Sequence, residues 1–124
     1  MQTLNIIDEG AVRIMELDRP QALNAMNAQM TDDLTDAFLG AAADPSVKTV
    51  LLTGAGKAFW AGADLKEMGA ASHRPKHTFG DLVDAIIDFP KPFLLAVNGV
   101  GVGIGATICG LADAVYMSAT ARLR

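Results

Sequence analysis

Gly99, Gly101, Gly103 and Gly105 stand at every second position after an apolar run, Phe93 to Val97, and lead into a small-residue run, Ile104 to Leu111. A glycine loop lets main chain approach a ligand closely, and a helix opening after it offers unpaired N–H groups and a positive dipole end. The ligand such a loop suits carries, or develops, negative charge. A second glycine loop, Thr53-Gly54-Ala55-Gly56-Lys57-Ala58-Phe59-Trp60-Ala61-Gly62-Ala63-Asp64-Leu65, also leaves an apolar run and enters a helix-like one. Strand ends of one sense share an edge of a parallel sheet, so both loops can face one crevice. Two N–H groups from different loops suit a carbonyl oxygen that becomes an enolate, where losing one donor costs ~3 kcal/mol in the transition state. Taken singly, either set of glycines reads better as tight turns.

The elements that must position these loops alternate along the chain. Thr3 to Ile7 and Val12 to Leu17 read as a hairpin around Asp8-Glu9-Gly10-Ala11. Ala28 to Leu39 reads as an amphipathic helix, with Met30, Leu34, Ala37 and Phe38 inward, Asp32, Asp33 and Asp36 opposite, and Gly40 as its stop. Val47 to Leu52 reads as a strand covered on both faces. Leu65 to Met68 opens a short helix, Ala70 to Lys76 is a loop, and Thr78 to Ile87 is a helix with Phe79, Leu82, Val83, Ile86 and Ile87 inward. Phe93 to Val97 is a strand, Ile104 to Leu111 a helix and Ala114 to Met117 a strand. Strands alternating with helices predict an α/β fold with parallel neighbours.

Composition limits the function classes. Of the 124 residues 51% are hydrophobic and 19% charged, with mean hydropathy +0.28, which suits one globular domain, or a piece of one, with a covered core. The net charge of −4 and singly scattered Lys and Arg argue against a nucleic-acid face. Pro92 to Ala112 is uncharged, but its alternating glycines make a poor membrane helix. The single cysteine, Cys109, reads as a small buried thiol, and the lack of a disulfide framework predicts a cytoplasmic protein. The opening MQTLNIIDEG has no basic region and does not read as a secretory signal.

Other site patterns fit poorly. Gly101 to Ala106 satisfies a loose GxGxxA, yet no acidic residue lies ~20 positions on to hold a ribose. Gly56-Lys57 is followed by Ala58 rather than Ser or Thr, and no GxSxG occurs. His73 and His77 are four apart, but Pro75 interrupts them and no metal set forms.

LDRPQALNAMN (17 to 27), LLTGAGKAFWAGADLKEM (51 to 68) and KPFLLAVNGVGVGIG (91 to 105), in this order and spacing, resemble the enoyl-CoA hydratase/isomerase (crotonase) superfamily. The resemblance implies a ββα superhelical fold that binds acyl-CoA thioesters, with coenzyme A part of the substrate and no separate cofactor. By matching position it makes the N–H groups of Ala63 and Ile104 the oxyanion donors. Relatives most often have glycine where Ile104 stands, and isoleucine suits the role only if its backbone is helical rather than at positive φ. The same matching puts Arg19, Ala22 and Leu23 beside the nucleotide part of CoA. It puts Ala61, Asp64, Leu65 and Lys66 along pantetheine and adenine, with Gly103 also in contact with substrate. Lys66 then either meets a phosphate oxygen or is a solvated surface lysine. Asp64 is expected to orient its own loop through backbone N–H groups rather than to act as a base.

Two departures from the family pattern shape the functional expectation. Hydratases of the family carry a glutamate three residues beyond the second donor, where this chain has Thr107. Adding water uses two carboxylates, whereas moving a double bond needs one base that takes and returns a proton. Threonine therefore favours the Δ3-Δ2-enoyl-CoA isomerase type over a hydratase of fatty-acid oxidation. Relatives also continue for about another chain length beyond the point matching Arg124. Residues 1–124 are accordingly expected to be the N-terminal part of a crotonase-like domain, without the isomerase glutamate or the helices that build the family's trimers and hexamers. The only glutamates are Glu9, Glu16 and Glu67. A non-catalytic acyl-CoA-binding or oligomer-interaction fragment is the rival expectation.

Overall fold

The computed structural model describes residues 1–64 and 75–124. Strands β1 (Leu4–Glu9) and β2 (Val12–Leu17) pair antiparallel around Gly10-Ala11, Glu9 opposite Val12. After a 3-10 turn at Pro20–Ala22, α1 (Ala28–Ala43) crosses to β3 (Thr49–Gly54), which lies parallel to β2. Next come β4 (Ala58–Trp60), α2 (Phe79–Ile87), β5 (Phe93–Val97), β6 (Val100–Gly101), α3 (Ile104–Thr107) and β7 (Ala114–Met117). The main sheet runs β1-β2-β3-β5-β7, parallel except for β1, and β4 with β6 forms a separate parallel pair. Among the described residues no helix is long and apolar enough to cross a membrane.

The core lies between sheet and helices. Met15, Leu17, Val50, Leu52, Phe93, Leu95 and Val97 from the strands share one buried cluster with Met30, Leu34 and Phe38 of α1 and Leu82, Ala85 and Ile86 of α2. Phe38 meets Phe89 and Phe93 edge-on, at 5.5 and 5.2 Å between ring centres, a preferred aromatic geometry.

Several elements depart from the expectations. Helix α1 runs past Gly40 to Ala43, because nothing crowds that glycine and the Lys91 ammonium caps the helix end through the carbonyls of Ala41 (2.6 Å) and Asp44 (2.7 Å). Asp32 and Asp33 are buried rather than on a solvated face. Asp33 accepts from the Thr3 N–H (3.0 Å) and hydroxyl (2.7 Å), and Asp32 from the N–H groups of Lys76 (3.0 Å) and His77 (2.9 Å). Both carboxylates thereby tie other segments to α1, and hydrogen bonding offsets their burial. Phe79 and Ile87 are exposed, since the short α2 turns only Leu82, Ala85 and Ile86 fully to the core. The third strand begins at Thr49 rather than Val47, and only its alternate residues are fully buried. The final helix is four residues of α3 followed by a 3-10 turn at Ile108–Gly110, not a helix to Leu111. Strands β4 and β6 were not expected within the loops.

Asp36, beside the entry to α2, bonds the Lys76 ammonium (2.7 Å) and His77 Nε2 (2.9 Å). The Lys76 bond first, then that of His77, holds the Asp36 carboxyl below its usual range. A depressed folded pKa gives stability that is present above the unfolded value of about 3.9 and lost as pH falls through the folded one. Asp36→Asn is therefore expected to flatten the loss of thermal stability below about pH 4, as melting curves across an acid pH series will read.

Candidate functional site

Three loops meet at the C-terminal ends of β2, β3 and β5, and two side-chain amides, buried Asn24 and partly buried Asn98, join them. Asn24, fully buried at φ +60, accepts from the Arg19 N–H (2.8 Å) and donates to the carbonyls of Ala55 (2.9 Å) and Ala58 (3.0 Å). Asn98 accepts from the Gly54 N–H (3.1 Å) and donates to the carbonyls of Gly56 (3.0 Å) and Ala58 (3.1 Å). Each asparagine thus satisfies backbone groups that a turn leaves unpaired. Both stand inside the motifs read from the sequence, LNAMN and AVNG, but apart from the local Arg19 N–H their partners are 31 to 44 positions away in the chain. Asn24→Ala would orphan buried donors and acceptors and place alanine at positive φ, so a loss of about 3 kcal/mol is expected, measured by urea unfolding.

Backbone pairing then sets the positions of the candidate donors. The Met26 N–H bonds the Gly62 carbonyl (2.6 Å) and the Met26 carbonyl accepts from the Asp64 N–H (2.8 Å), a parallel bridge centred on Ala63. In such a bridge the flanking residues make the bonds, so the Ala63 N–H points away and has no acceptor among the described residues. On the neighbouring loop the Val102 N–H bonds the Trp60 carbonyl (2.9 Å), continuing the β4–β6 pair. Gly103 follows at φ +59 as the residue before α3, in van der Waals reach of Gly62, where a Cβ on Gly103 would lie 3.9 Å from the Gly62 Cα. Ile104 is the first residue of α3, where an N–H has no intrahelical acceptor, and it finds none elsewhere among the described residues. Ile104 is helical and not at positive φ, as a donor at this place requires. Ala63 and Ile104 therefore each follow one of two touching glycines, and each has an uncommitted N–H.

The remaining candidates divide by what they touch. Arg19 turns inward: its guanidinium bonds the Ala25 carbonyl (2.5 Å) and Asp64 (3.4 Å), so its charge braces the loop. Asp64 pairs with that guanidinium from the far side of the Met26 bridge. Ala22 closes the turn at Pro20–Ala22, and Leu23, at φ +53 and partly exposed, accepts from the Ala61 N–H (3.1 Å). Ala63, Gly103 and Thr107 are exposed to solvent. Leu65, Lys66, Glu67, the short helix expected at Leu65 to Met68, and His73 lie outside the described residues. His77 is held by Asp36, and the described residues contain no group of three or more side chains fit to bind a metal ion. Cys109 is half-buried, and burial pushes its thiol pKa up, consistent with a packing role.

Known proteins match this chain over nearly its whole length. The enoyl-CoA hydratase/isomerase family profile matches residues 8–124. Enoyl-CoA delta isomerase 2 of Rattus norvegicus is 38% identical over 120 residues, covering 91% of this chain and 30% of that protein. The probable enoyl-CoA hydratase echA8 of Mycobacterium leprae is 37% identical over 119 residues, covering 90% of this chain and 44% of that protein. Among solved structures, enoyl-CoA hydratase EchA8_6 from Mycobacterium marinum superposes with a TM-score of 0.93 at 50% identity, over 98% of this chain and 60% of that one. Pseudomonas aeruginosa OdaA does so with 0.89 at 32% identity, over all of this chain and 51% of that one. This chain spans less than half the length of either curated relative. The α/β, mostly parallel architecture is the crotonase-like fold that the motifs implied. From motif order, sheet topology and these matches together, the chain belongs to the enoyl-CoA hydratase/isomerase family.

Proposed function

We propose that this protein binds acyl-CoA thioesters and serves the isomerase type of the family's chemistry, moving a double bond from the 3,4 to the 2,3 position of an enoyl-CoA. The observation that carries the reading is the pair of uncommitted N–H groups at Ala63 and Ile104 on touching loops. A base takes a proton from C2, the electron pair delocalises onto the thioester oxygen, and the two N–H groups stabilise that enolate. Return of the proton at C4 re-forms the carbonyl and leaves the double bond conjugated. Thr107, one helical turn past Ile104, provides no carboxylate for positioning water, which favours isomerisation over hydration. Glu9 and Glu16 lie on the hairpin strands and Glu16 is bonded by Asn5, so neither is assigned as the base, which the family resemblance puts in the segment matching the relatives' remaining length. Trimeric or hexameric assembly, as the family resemblance implies, and a cytoplasmic setting belong to the same proposal.

Calorimetric titration with a 3-enoyl-CoA, followed by assays of 3-enoyl-CoA isomerisation and 2-enoyl-CoA hydration, tests it. Thioester binding with isomerisation supports the reading, and hydration alone makes the protein a hydratase. Binding without either turnover leaves a non-catalytic acyl-CoA-binding fragment, and absence of binding overturns the proposal.

A further inference from the structure

A groove of about 370 Å³ runs between α1 and α2, on helices that contribute neither Ala63 nor Ile104. Its floor is mainly apolar, Phe38, Ala42, Ala85 and Phe89 with the half-exposed Leu39 at one side, and Thr35 and His77 complete the lining. Its α2 rim is acidic: Asp81, Asp84 and Asp88 recur at helical spacing along one side. Asp81 has a local purpose, because it completes the capping box with Thr78. Asp84 and Asp88 have none. They sit at the C-terminal end of α2, where the helix dipole disfavours negative charge, and that last turn has no basic residue. No described cation pairs with either of them. The contrast with α1 is direct, since its C-terminal carbonyls are covered by the Lys91 ammonium. The α2 end thus has an unmet need for positive charge, beside an apolar floor open to solvent.

We propose that the α1–α2 groove docks a basic amphipathic helix of a partner protein. Asp81 to Asp88 span about 10 Å, two helical turns, which matches Lys or Arg repeating at i, i+3 and i+7 on a helix laid alongside. Apolar residues on the adjoining stripe of that helix would enter the Phe38–Leu39–Ala85–Phe89 floor, the helix-in-groove mode of recognition. A second copy of this chain is a poorer occupant, because neither α1 nor α2 contains a single Lys or Arg.

The test is an NMR titration of the isotope-labelled 124-residue chain with a synthetic Leu/Lys amphipathic peptide of about five helical turns. A scrambled peptide of the same composition, the D84K/D88K variant and the neutral D84N/D88N variant accompany it. Expected are amide shifts confined to Leu39, Ala42 and the Asp81 to Phe89 stretch, with at least about tenfold weaker binding for the scrambled peptide and for D84K/D88K. D84N/D88N should fall between, and added salt should weaken the wild-type complex. Equal affinity for the scrambled peptide, shifts mapping elsewhere, or an unaltered D84K/D88K affinity each overturn the proposal. Concentration-dependent self-association that D84K/D88K abolishes would instead make a second copy the occupant and overturn it equally. Both substituted positions are exposed, and D84N/D88N removes charge without reversing it, so a folded variant is in hand for the decision.

Discussion

Ile104→Pro is expected to weaken binding of a thioester enolate about a hundredfold while the chain stays folded. Proline is the one substitution that removes the backbone N–H outright, and the first position of a helix tolerates it because that N–H has no intrahelical partner. Ile104 occupies that position in α3, and its N–H bonds no other described group. The donor is therefore removed without breaking a hydrogen bond, apart from some packing lost where the Ile104 side chain meets the core edge. A 3-oxoacyl-CoA is the suitable probe, because its enolate forms without a catalytic base and absorbs in the ultraviolet where the keto form does not. Ile104→Val, which keeps the N–H, should bind the enolate as the wild type does. Undiminished enolate absorbance with Ile104→Pro would remove this N–H from the proposed oxyanion pair, and Ala63 would then stand alone.

Gly105→Ala should act through stability instead, costing about 3 kcal/mol and lowering the melting temperature by roughly 10 °C. A Cβ on Gly105 would lie 2.1 Å from the Trp60 carbonyl oxygen and 3.0 Å from the Trp60 Cβ. Neither neighbour can yield easily. The Trp60 carbonyl is bonded by the Val102 N–H at 2.9 Å, and Trp60 is wholly buried. Relief requires α3 to lift away from β4, which also moves Ile104 away from Ala63, so thioester binding should weaken with stability. Gly40→Ala supplies the contrast. It lies in the exposed interior of α1 with nothing within 4 Å of a Cβ, and alanine there should raise stability by about 0.5–1 kcal/mol. Calorimetric melting of the two variants beside the wild type checks both signs at once. Equal effects would mean that the approach of α3 to β4 does not constrain the fold.

Legibility of the fold followed the range of the interactions involved. Val12 to Leu17, Phe93 to Val97 and Ala114 to Met117 were readable to the residue, because β-branched and apolar runs bounded by turn residues specify a strand locally. The start of α2 was readable nearly as well, Thr78 and Asp81 making a capping box within four residues. The polarity of Asp32 and Asp33 misled, since consecutive charged residues in a helix ordinarily mark a solvated face. Their burial depends on Thr3 and on the backbone at Lys76 and His77, between 30 and 45 residues away. Phe79 and Ile87 misled in the opposite direction: their apolar character promised a core that the nine-residue α2 does not extend far enough to cover.

For the candidate site the division is sharper. That a helix begins just after Gly103, and that its first N–H lacks an intrahelical partner, follows from consecutive residues, because glycine spacing and helix nucleation are local matters. That the Ala63 N–H is also spare was decided by the tertiary structure alone, since Met26 bonds Gly62 and Asp64 on either side of it. That the two N–H groups stand on touching loops was likewise a tertiary outcome, resting on the β4–β6 pairing and on Gly105 admitting the Trp60 carbonyl. Pairing of this kind joins residues about 40 positions apart, and its register is set by which surfaces the whole sheet buries rather than by any short stretch of chain.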